Sequence, residues 1–401
     1  MKKSTYVMFL TILLAGIMSS SCQKDPVNDE PDIVTLKNGV ALTPIEQLGK
    51  FLFFDEALSV NGKMSCATCH APEAGFTGPD SDINMNTAVY PGTVHAKFGN
   101  RKPPTAAYGG ESPVFYFDEI EGLWIGGMFW DGRATGWTLG DPLAEQAMGP
   151  FLNPVEQAAP MAKLIVSKVA KSAYAPLFEE VYGPCSLDFK KDVYGTYERI
   201  ARSISAYEKS AEVNPFTSKY DYYLKGMVEL TEEEAWGLAL FNDEDKGKCA
   251  LCHLSDGDAP LFTDFTYDNL GIPKNPDNPF LMMPPSINPD GMNWIDEGLG
   301  GFLKSAGLPY EGEIGKHKVP TLRNVDKRPY EGFVKAFGHN GYFKSLEEIV
   351  HFYNTRDVED WPMAEVPGTV NVEELGDLGL TAEEEAAIVA FMKTLSDGYM
   401  L

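Results

Sequence analysis

Two five-residue strings bring thiols and an imidazole to a fixed spacing: Cys66-Ala67-Thr68-Cys69-His70 and Cys249-Ala250-Leu251-Cys252-His253. A Cys-x-x-Cys pair can add across the two vinyl groups of one haem, while the adjoining imidazole takes the iron from one face. A zinc site, or a thiol–disulfide pair that happens to precede a histidine, has the same local spacing. Against those alternatives, the two strings absorb four of only six cysteines, in a chain that opens on an export signal. The expectation is two covalent c-type haems, one on Cys66, Cys69 and His70, the other on Cys249, Cys252 and His253. Cys185 reads as a buried small hydrophobe.

The segments that must position these strings repeat as well. Leu42-Thr43-x-x-Glu46-x-x-Gly49-x-x-Leu52-Phe53 recurs as Leu230-Thr231-x-x-Glu234-x-x-Gly237-x-x-Leu240-Phe241, at a constant offset (230 − 42 = 188; 241 − 53 = 188). In each copy the threonine and the glutamate three residues on form a capping box that opens an amphipathic helix. A Cys-x-x-Cys-His string follows shortly after. Gly49 and Gly237 read equally as sites of close helix approach or as tolerated surface glycines. Further helices are predicted over 156–171 and 194–212, after Ser345 with Glu348, and after Thr381 with Glu384. Long Gly/Pro-rich connections run over 71–128 and 254–330, and haem edges needing cover would explain their length. No long alternating strand appears. The fold class is therefore mainly α: two cytochrome c-like domains, 42–213 and 214–401, each with one covalent haem, meeting near Asn214-Pro215.

Residues 1–22 read as a signal peptide of the lipoprotein type. Lys2 and Lys3 precede an apolar stretch from Tyr6 to Met18, and Ser19-Ser20-Ser21 leads into Cys22. The stretch is shorter than the roughly 20 residues a membrane span needs. Cys22 is then a candidate lipidated N-terminus and 23–41 a solvated tether. That places the protein in the periplasm, lipid-anchored to the outer membrane, with the cell surface as the alternative. A net charge of −25 argues against nucleic acid and against an anionic membrane surface, so a membrane would be met only through the anchor. The same charge favours a neutral or basic protein partner.

Four further strings, with the two Cys-x-x-Cys-His strings in order, resemble the bacterial di-haem cytochrome c peroxidase/MauG family over roughly residues 43–397. They are Leu58-Ser59-x4-Met64-Ser65-Cys66, Phe129-Trp130-Asp131-Gly132-Arg133-Ala134, Gln146-Ala147-x-Gly149-Pro150-x-x-Asn153-Pro154-x-Glu156, and Lys318-Val319-Pro320-Thr321-Leu322-Arg323-Asn324-Val325. The resemblance implies that the N-terminal haem, on His70, binds and cleaves H2O2. The C-terminal haem, on His253, would take electrons from a small redox protein, a cytochrome c or cupredoxin, and pass them on. Gln146 and Glu156 match the family's distal pair over the first haem. A carboxylate there can move a proton from the inner to the outer peroxide oxygen, so that water leaves. On spacing alone, Glu156 would be a solvated residue in the first turn of a helix. Trp130 matches the tryptophan between the haems and Arg133 a partner for a haem propionate. Without the resemblance they read as a packed core residue and a turn cap.

The chain departs from the family pattern in three places. Typical peroxidases carry a methionine ligand fourteen residues after the histidine of a His-x-Gly turn; here His339-Asn340-Gly341 is followed at that distance by Tyr353, as in MauG. Tyr353 is thus the candidate sixth ligand of the second haem, with Met363 the competing thioether. His95 lies near the position of the removable distal ligand of the first haem, one residue out of register. The family's calcium asparagine is replaced by Lys102, with Asn100 as substitute, which leaves a Ca2+ open. His317 and His351 read as polar surface or haem-edge residues. Family members are often dimers, which makes a homodimer the implied assembly. Three functions follow: a peroxidase reducing H2O2 to water, a MauG-like oxidase using high-valent di-haem iron on a protein side chain or organic substrate, and a non-catalytic di-haem electron carrier.

Overall fold

The structure, a computed structural model, describes residues 41–401. The signal peptide, Cys22 and nearly all of the tether lie outside the described residues. Among the described residues helices dominate. The first half carries α1 (Pro44–Phe54), α2 (Ser81–Asn86), α3 (Pro142–Leu152), α4 (Ala162–Val169), α5 (Ala175–Tyr182) and α6 (Val193–Glu208). The second carries α7 (Lys219–Leu224), α8 (Glu232–Asn242), α9 (Gly298–Ala306), α10 (Leu346–Thr355) and α11 (Ala382–Lys393). Two short antiparallel ribbons complete it: β1 (Tyr116–Asp118) with β2 (Leu123–Ile125), and β3 (Tyr267–Asp268) with β4 (His317–Lys318). No helix among the described residues is long and apolar enough to cross a membrane.

The repeated helix opens as its sequence requires. In α1 the Glu46 carboxylate accepts the Thr43 N–H at 2.7 Å, and in α8 Glu234 accepts that of Thr231 at 2.8 Å. Each helix then crosses a second one with a glycine at the contact. A Cβ on Gly49 would stand 1.9 Å from the Ser203 carbonyl oxygen of α6, and one on Gly237 1.8 Å from that of Ala387 in α11. Both distances lie far inside van der Waals contact, so only glycine permits either crossing. The surface-glycine reading is excluded.

Each helix pair builds its own apolar core. Leu48, Leu52 and Phe53 of α1 pack with Tyr197, Ile200 and Tyr207 of α6, in a cluster of buried residues running from 48 to 213. Leu240 and Phe241 of α8 pack with Ile388, Phe391 and Met392 of α11, in one running from 220 to 395. A third cluster joins the long connections of the two halves: Phe115 stacks on Trp124 at 4.7 Å and meets Tyr267 and Phe302 edge-on.

The helix predicted over 156–171 is corrected. Its first part is a loop, because Pro154, Pro160 and the left-handed Ala158 (φ +58°) prevent a continuous helix; α4 starts only at Ala162. The helix predicted over 194–212 ends at Glu208. Cys185 is half-buried, so its reading as a fully buried hydrophobe is corrected too.

Candidate active site

The two Cys-x-x-Cys-His strings fold alike. Cys66–Thr68 and Cys249–Leu251 each make one 3-10 turn. The His70 N–H closes on the Cys66 carbonyl at 3.0 Å, and that of His253 on the Cys249 carbonyl at 2.9 Å. All four thiols are free and half-buried. Burial pushes every one of them up, Cys69 and Cys249 to about 12, so they stay neutral.

Each imidazole rests in a cradle of backbone carbonyls. His70 Nδ1 lies 3.2 Å from the Phe76 carbonyl, with that of Pro104 also in reach. His253 Nδ1 lies 2.8 Å from the Phe262 carbonyl, with that of Pro320 also in reach. Carbonyls only accept, so the proton sits on Nδ1 and Nε2 keeps its lone pair, the tautomer a metal needs. Burial holds both rings below the ordinary imidazole range.

The cradles themselves are matched bond for bond. Thr77 Oγ1 donates to Pro103 O and Thr263 Oγ1 to Val319 O, both at 2.7 Å. Thr105 Oγ1 donates to Gly75 O at 2.9 Å and Thr321 Oγ1 to Leu261 O at 2.6 Å. Phe76 (φ +57°) and Phe262 (φ +54°) are both left-handed. Sequence reasoning missed this second repeat, whose only signal is Phe-Thr at 76 and 262 with Pro-Thr at 104 and 320.

Beside the first string, the loop after α3 carries Glu156. The carboxylate is half-buried and close enough to the Cys66 and Cys69 sulfurs to raise both. Burial raises Glu156 itself above the ordinary carboxylate value, while Arg133 and a hydrogen bond from Asn153 pull it partly back. Its place on a loop overturns the first-turn helix reading. Gln146 lies half-buried on α3, and among the described residues its amide makes no hydrogen bond. Thr93 N–H donates to the Glu156 carbonyl at 2.8 Å, which pins the loop leading to His95 against this segment. His95 itself is exposed on a turn.

Beside the second string, a cavity is lined by Cys249, Cys252, His253, Tyr353, Trp130 and His339. Tyr353 on α10 is half-buried, and among the described residues its hydroxyl has no hydrogen-bond partner. Burial, then the Cys249 sulfur, raise that phenol. Met363, the competing thioether, is 79% exposed. Trp130 lies between the two cradles: its Nε1 donates to Lys102 O at 3.0 Å, two residues before the Pro104 carbonyl of the His70 cradle. Its own carbonyl accepts from Lys318 N at 2.8 Å, two residues before Pro320 of the His253 cradle.

Asp131, next in sequence, binds Arg101 at 2.6 Å and Arg133 at 2.7 Å. Burial alone would raise that carboxyl, but the two guanidiniums outweigh it and hold it below its usual range. Of the two readings of His317, the surface one is corrected: it is 9% exposed, stacks on His339 and lines the cavity beside the second string. His351, partly exposed, pairs with Glu385 at 3.0 Å and Glu359 at 3.3 Å.

The neighbourhood does not suit the calcium expected from the family. Lys102 Nζ donates to Pro103 O at 3.2 Å. Lys335 Nζ, near enough for Lys102 to depress its charge, donates to the carbonyls of Ala74 (3.0 Å), Asn324 (2.7 Å) and Lys327 (3.1 Å). One buried and one half-buried lysine amine already occupy carbonyl oxygens here, and a hard cation would have to displace them.

The profile of the family described as di-haem cytochrome c peroxidase matches residues 44–229. The methylamine utilization protein MauG of Paracoccus denitrificans is 34% identical over 368 residues, 87% of this chain and 88% of that protein. The cytochrome c551 peroxidase of Nitrosomonas europaea is 27% identical over 403 residues, 99% of this chain and 92% of that protein. The solved structure of the diheme peroxidase BthA from Burkholderia thailandensis shares 30% identity at a TM-score of 0.73, over 90% of this chain and 88% of that one. With two matched histidine cradles and likeness along most of its length, the chain belongs to the di-haem cytochrome c peroxidase family and is an oxidoreductase of that family.

Proposed function

We propose that the chain holds two covalent haems, on Cys66, Cys69 and His70 and on Cys249, Cys252 and His253, and reduces H2O2 to two waters at the first. When bound, the first iron supplies an open coordination position for peroxide and the second a reservoir for an electron. The protein supplies the proton chemistry. Glu156 takes the proton from the inner peroxide oxygen and returns it to the outer one, so that water and not hydroxide departs. Gln146, its amide unengaged, orients the peroxide. Trp130, hydrogen-bonded toward both cradles, relays charge between them, and Arg133 offsets the carboxylate charge nearby.

The observation that carries this reading is a half-buried carboxyl, raised above its ordinary value, beside the first attachment string. An electron carrier has no use for such a group. The electrons would come from a small cytochrome c or cupredoxin whose docking face is neutral or basic, given the net charge of −25. The signal peptide and Cys22 support export to the periplasm with a lipid anchor on the outer membrane. Steady consumption of H2O2 with reduced cytochrome c, lost in Glu156→Gln at unchanged haem content, is the expected result. Undiminished turnover in that variant would overturn the reading.

Tyr353 favours a second reading, a MauG-like oxidase acting on a protein side chain or organic molecule. A phenolate ligand is a hard anion that lowers the potential of its iron, which suits storing oxidising equivalents better than accepting electrons. In this case one equivalent of H2O2 gives a long-lived oxidised form with poor turnover from cytochrome c. Electron paramagnetic resonance of the resting protein should then show a second-haem signal that Tyr353→Phe abolishes.

A further inference from the structure

At the edge of the cavity beside the second attachment string, which His317 and His339 also line, the described residues contain one fully buried cluster of metal-ligand atoms. Those of Asp296, His317 and His339 all lie within 4.8 Å of one another. The three residues are 2%, 9% and 6% exposed. The two imidazoles stack at 3.6 Å with 10° between their planes, and both Nε2 atoms are buried without a hydrogen-bond partner. Orphaned polar atoms at that depth are uncommon, and each destabilises the fold unless something meets it.

The tautomer makes the orphan worse. His317 Nδ1 stands 3.0 Å from the Gly315 carbonyl, which only accepts, so the ring proton is there and Nε2 presents a bare lone pair. That lone pair faces Asp296 Oδ1 at 3.4 Å. Asp296 is ionised, since Arg101 holds its two oxygens at 2.7 and 2.6 Å. A lone pair against a carboxylate is repulsive unless a positive centre lies between them. A second carboxylate lies near His339, whose Nε2 stands 3.9 Å from Glu365 Oε2, on a side chain 5% exposed.

The geometry points to a binding site for a first-row divalent metal ion of the zinc or copper class, held by Nε2 of His317 and His339 and a carboxylate oxygen of Asp296, with Glu365 completing the set. Two imidazoles and two carboxylates suit a borderline cation, whereas calcium takes oxygen donors alone. Bonds of about 2.0–2.2 Å require the stacked rings to splay and the donors to close in. His339 can make that turn, because among the described residues its ring makes no hydrogen bond. Lys102 N–H donates to the His339 carbonyl at 3.0 Å, and Lys318, beside His317, donates to the Trp130 carbonyl at 2.8 Å. An ion joining the two imidazoles therefore ties together the segment that holds the Trp130 indole and the one that holds its backbone carbonyl.

The test uses the haem-loaded protein after chelator treatment, which leaves thioether-linked iron in place. Titration with Cu2+ alone should give one tightly bound equivalent. Its cupric resonance should carry hyperfine splitting from two imidazole nitrogens. Zn2+ should displace it, and a large excess of Ca2+ should not. His317→Phe keeps a ring in the stack and removes the donor, so it should weaken Cu2+ binding by more than about tenfold. Glu365→Gln should weaken it less. Cu2+ binding of unchanged affinity in a folded His317→Phe protein, or the lack of a stoichiometric nitrogen-ligated signal in the native one, rejects the site.

Discussion

Glu156 must be ionised to accept a proton from peroxide, yet burial works against ionisation. Its carboxyl is raised above the ordinary glutamate value of 4.5, with Arg133 and Asn153 restoring part of the loss. The sign follows directly. Turnover should fall as pH drops through that raised value, so the acid limb of the rate profile lies above 4.5. Arg133→Ala removes a charge that favours the carboxylate, and should move the limb to higher pH while leaving the plateau rate less affected. Glu156→Gln abolishes the limb and lowers the plateau on the order of 10²–10⁴-fold. Peroxide assays across pH on both variants check this, and a limb that stays in place in Arg133→Ala would exclude Arg133 from the role.

At the scale of elements, the repeated helix stands or falls on its glycine. In Gly237→Ala the new Cβ would lie 1.8 Å from the Ala387 carbonyl oxygen and 2.5 Å from its carbon. Neither atom can swing aside, so α8 and α11 must separate. Overpacking of this kind costs about 1–3 kcal/mol or more, and thermal denaturation of the haem-loaded protein should show a clear loss. Gly312→Ala, where the added carbon meets nothing within 4 Å, should leave the midpoint nearly unchanged. This element was legible in the sequence because a capping box, a glycine and an apolar stripe recur at one offset, and a helix fixes all three within eleven residues.

The histidine cradles were not legible, although they repeat as faithfully. Phe76 and Phe262 are offset by 186 (262 − 76), Pro104 and Pro320 by 216 (320 − 104), and the first cysteines by 183 (249 − 66). Loops of unequal length separate parts that meet only through hydrogen bonds, so no constant spacing survives to be read. Glu156 fell between these cases. Its neighbours Gln146 and Asn153 marked it by resemblance, but two prolines and a left-handed alanine, not periodicity, decided that it sits on a loop.

At the scale of the molecule, buried ions join the two halves: Arg101 to Asp296 at 2.6 Å, and Lys335 to carbonyls from both. One buried acid has no such partner. Glu208, at the end of α6, is 4% exposed with Oε2 unpaired. Burial, then Asp141, push its carboxyl up to about 8, against the opposing pull of Lys209. The folded chain thus holds a proton that the unfolded chain gives up above an ordinary value of 4.5. Between those two values the folded state binds more protons, so stability must fall as pH rises through that window. Glu208→Gln keeps the shape and removes the titration. The variant should match the wild-type stability near pH 4.5 and exceed it progressively toward pH 8, by on the order of a few kcal/mol. The comparison must be made as a difference between the two proteins, because a chain of net charge −25 also loses stability to self-repulsion as its remaining acids ionise. A constant gap between the two melting curves across this range would mean that Glu208 is ionised throughout, and that a group not yet identified meets its charge inside the first core.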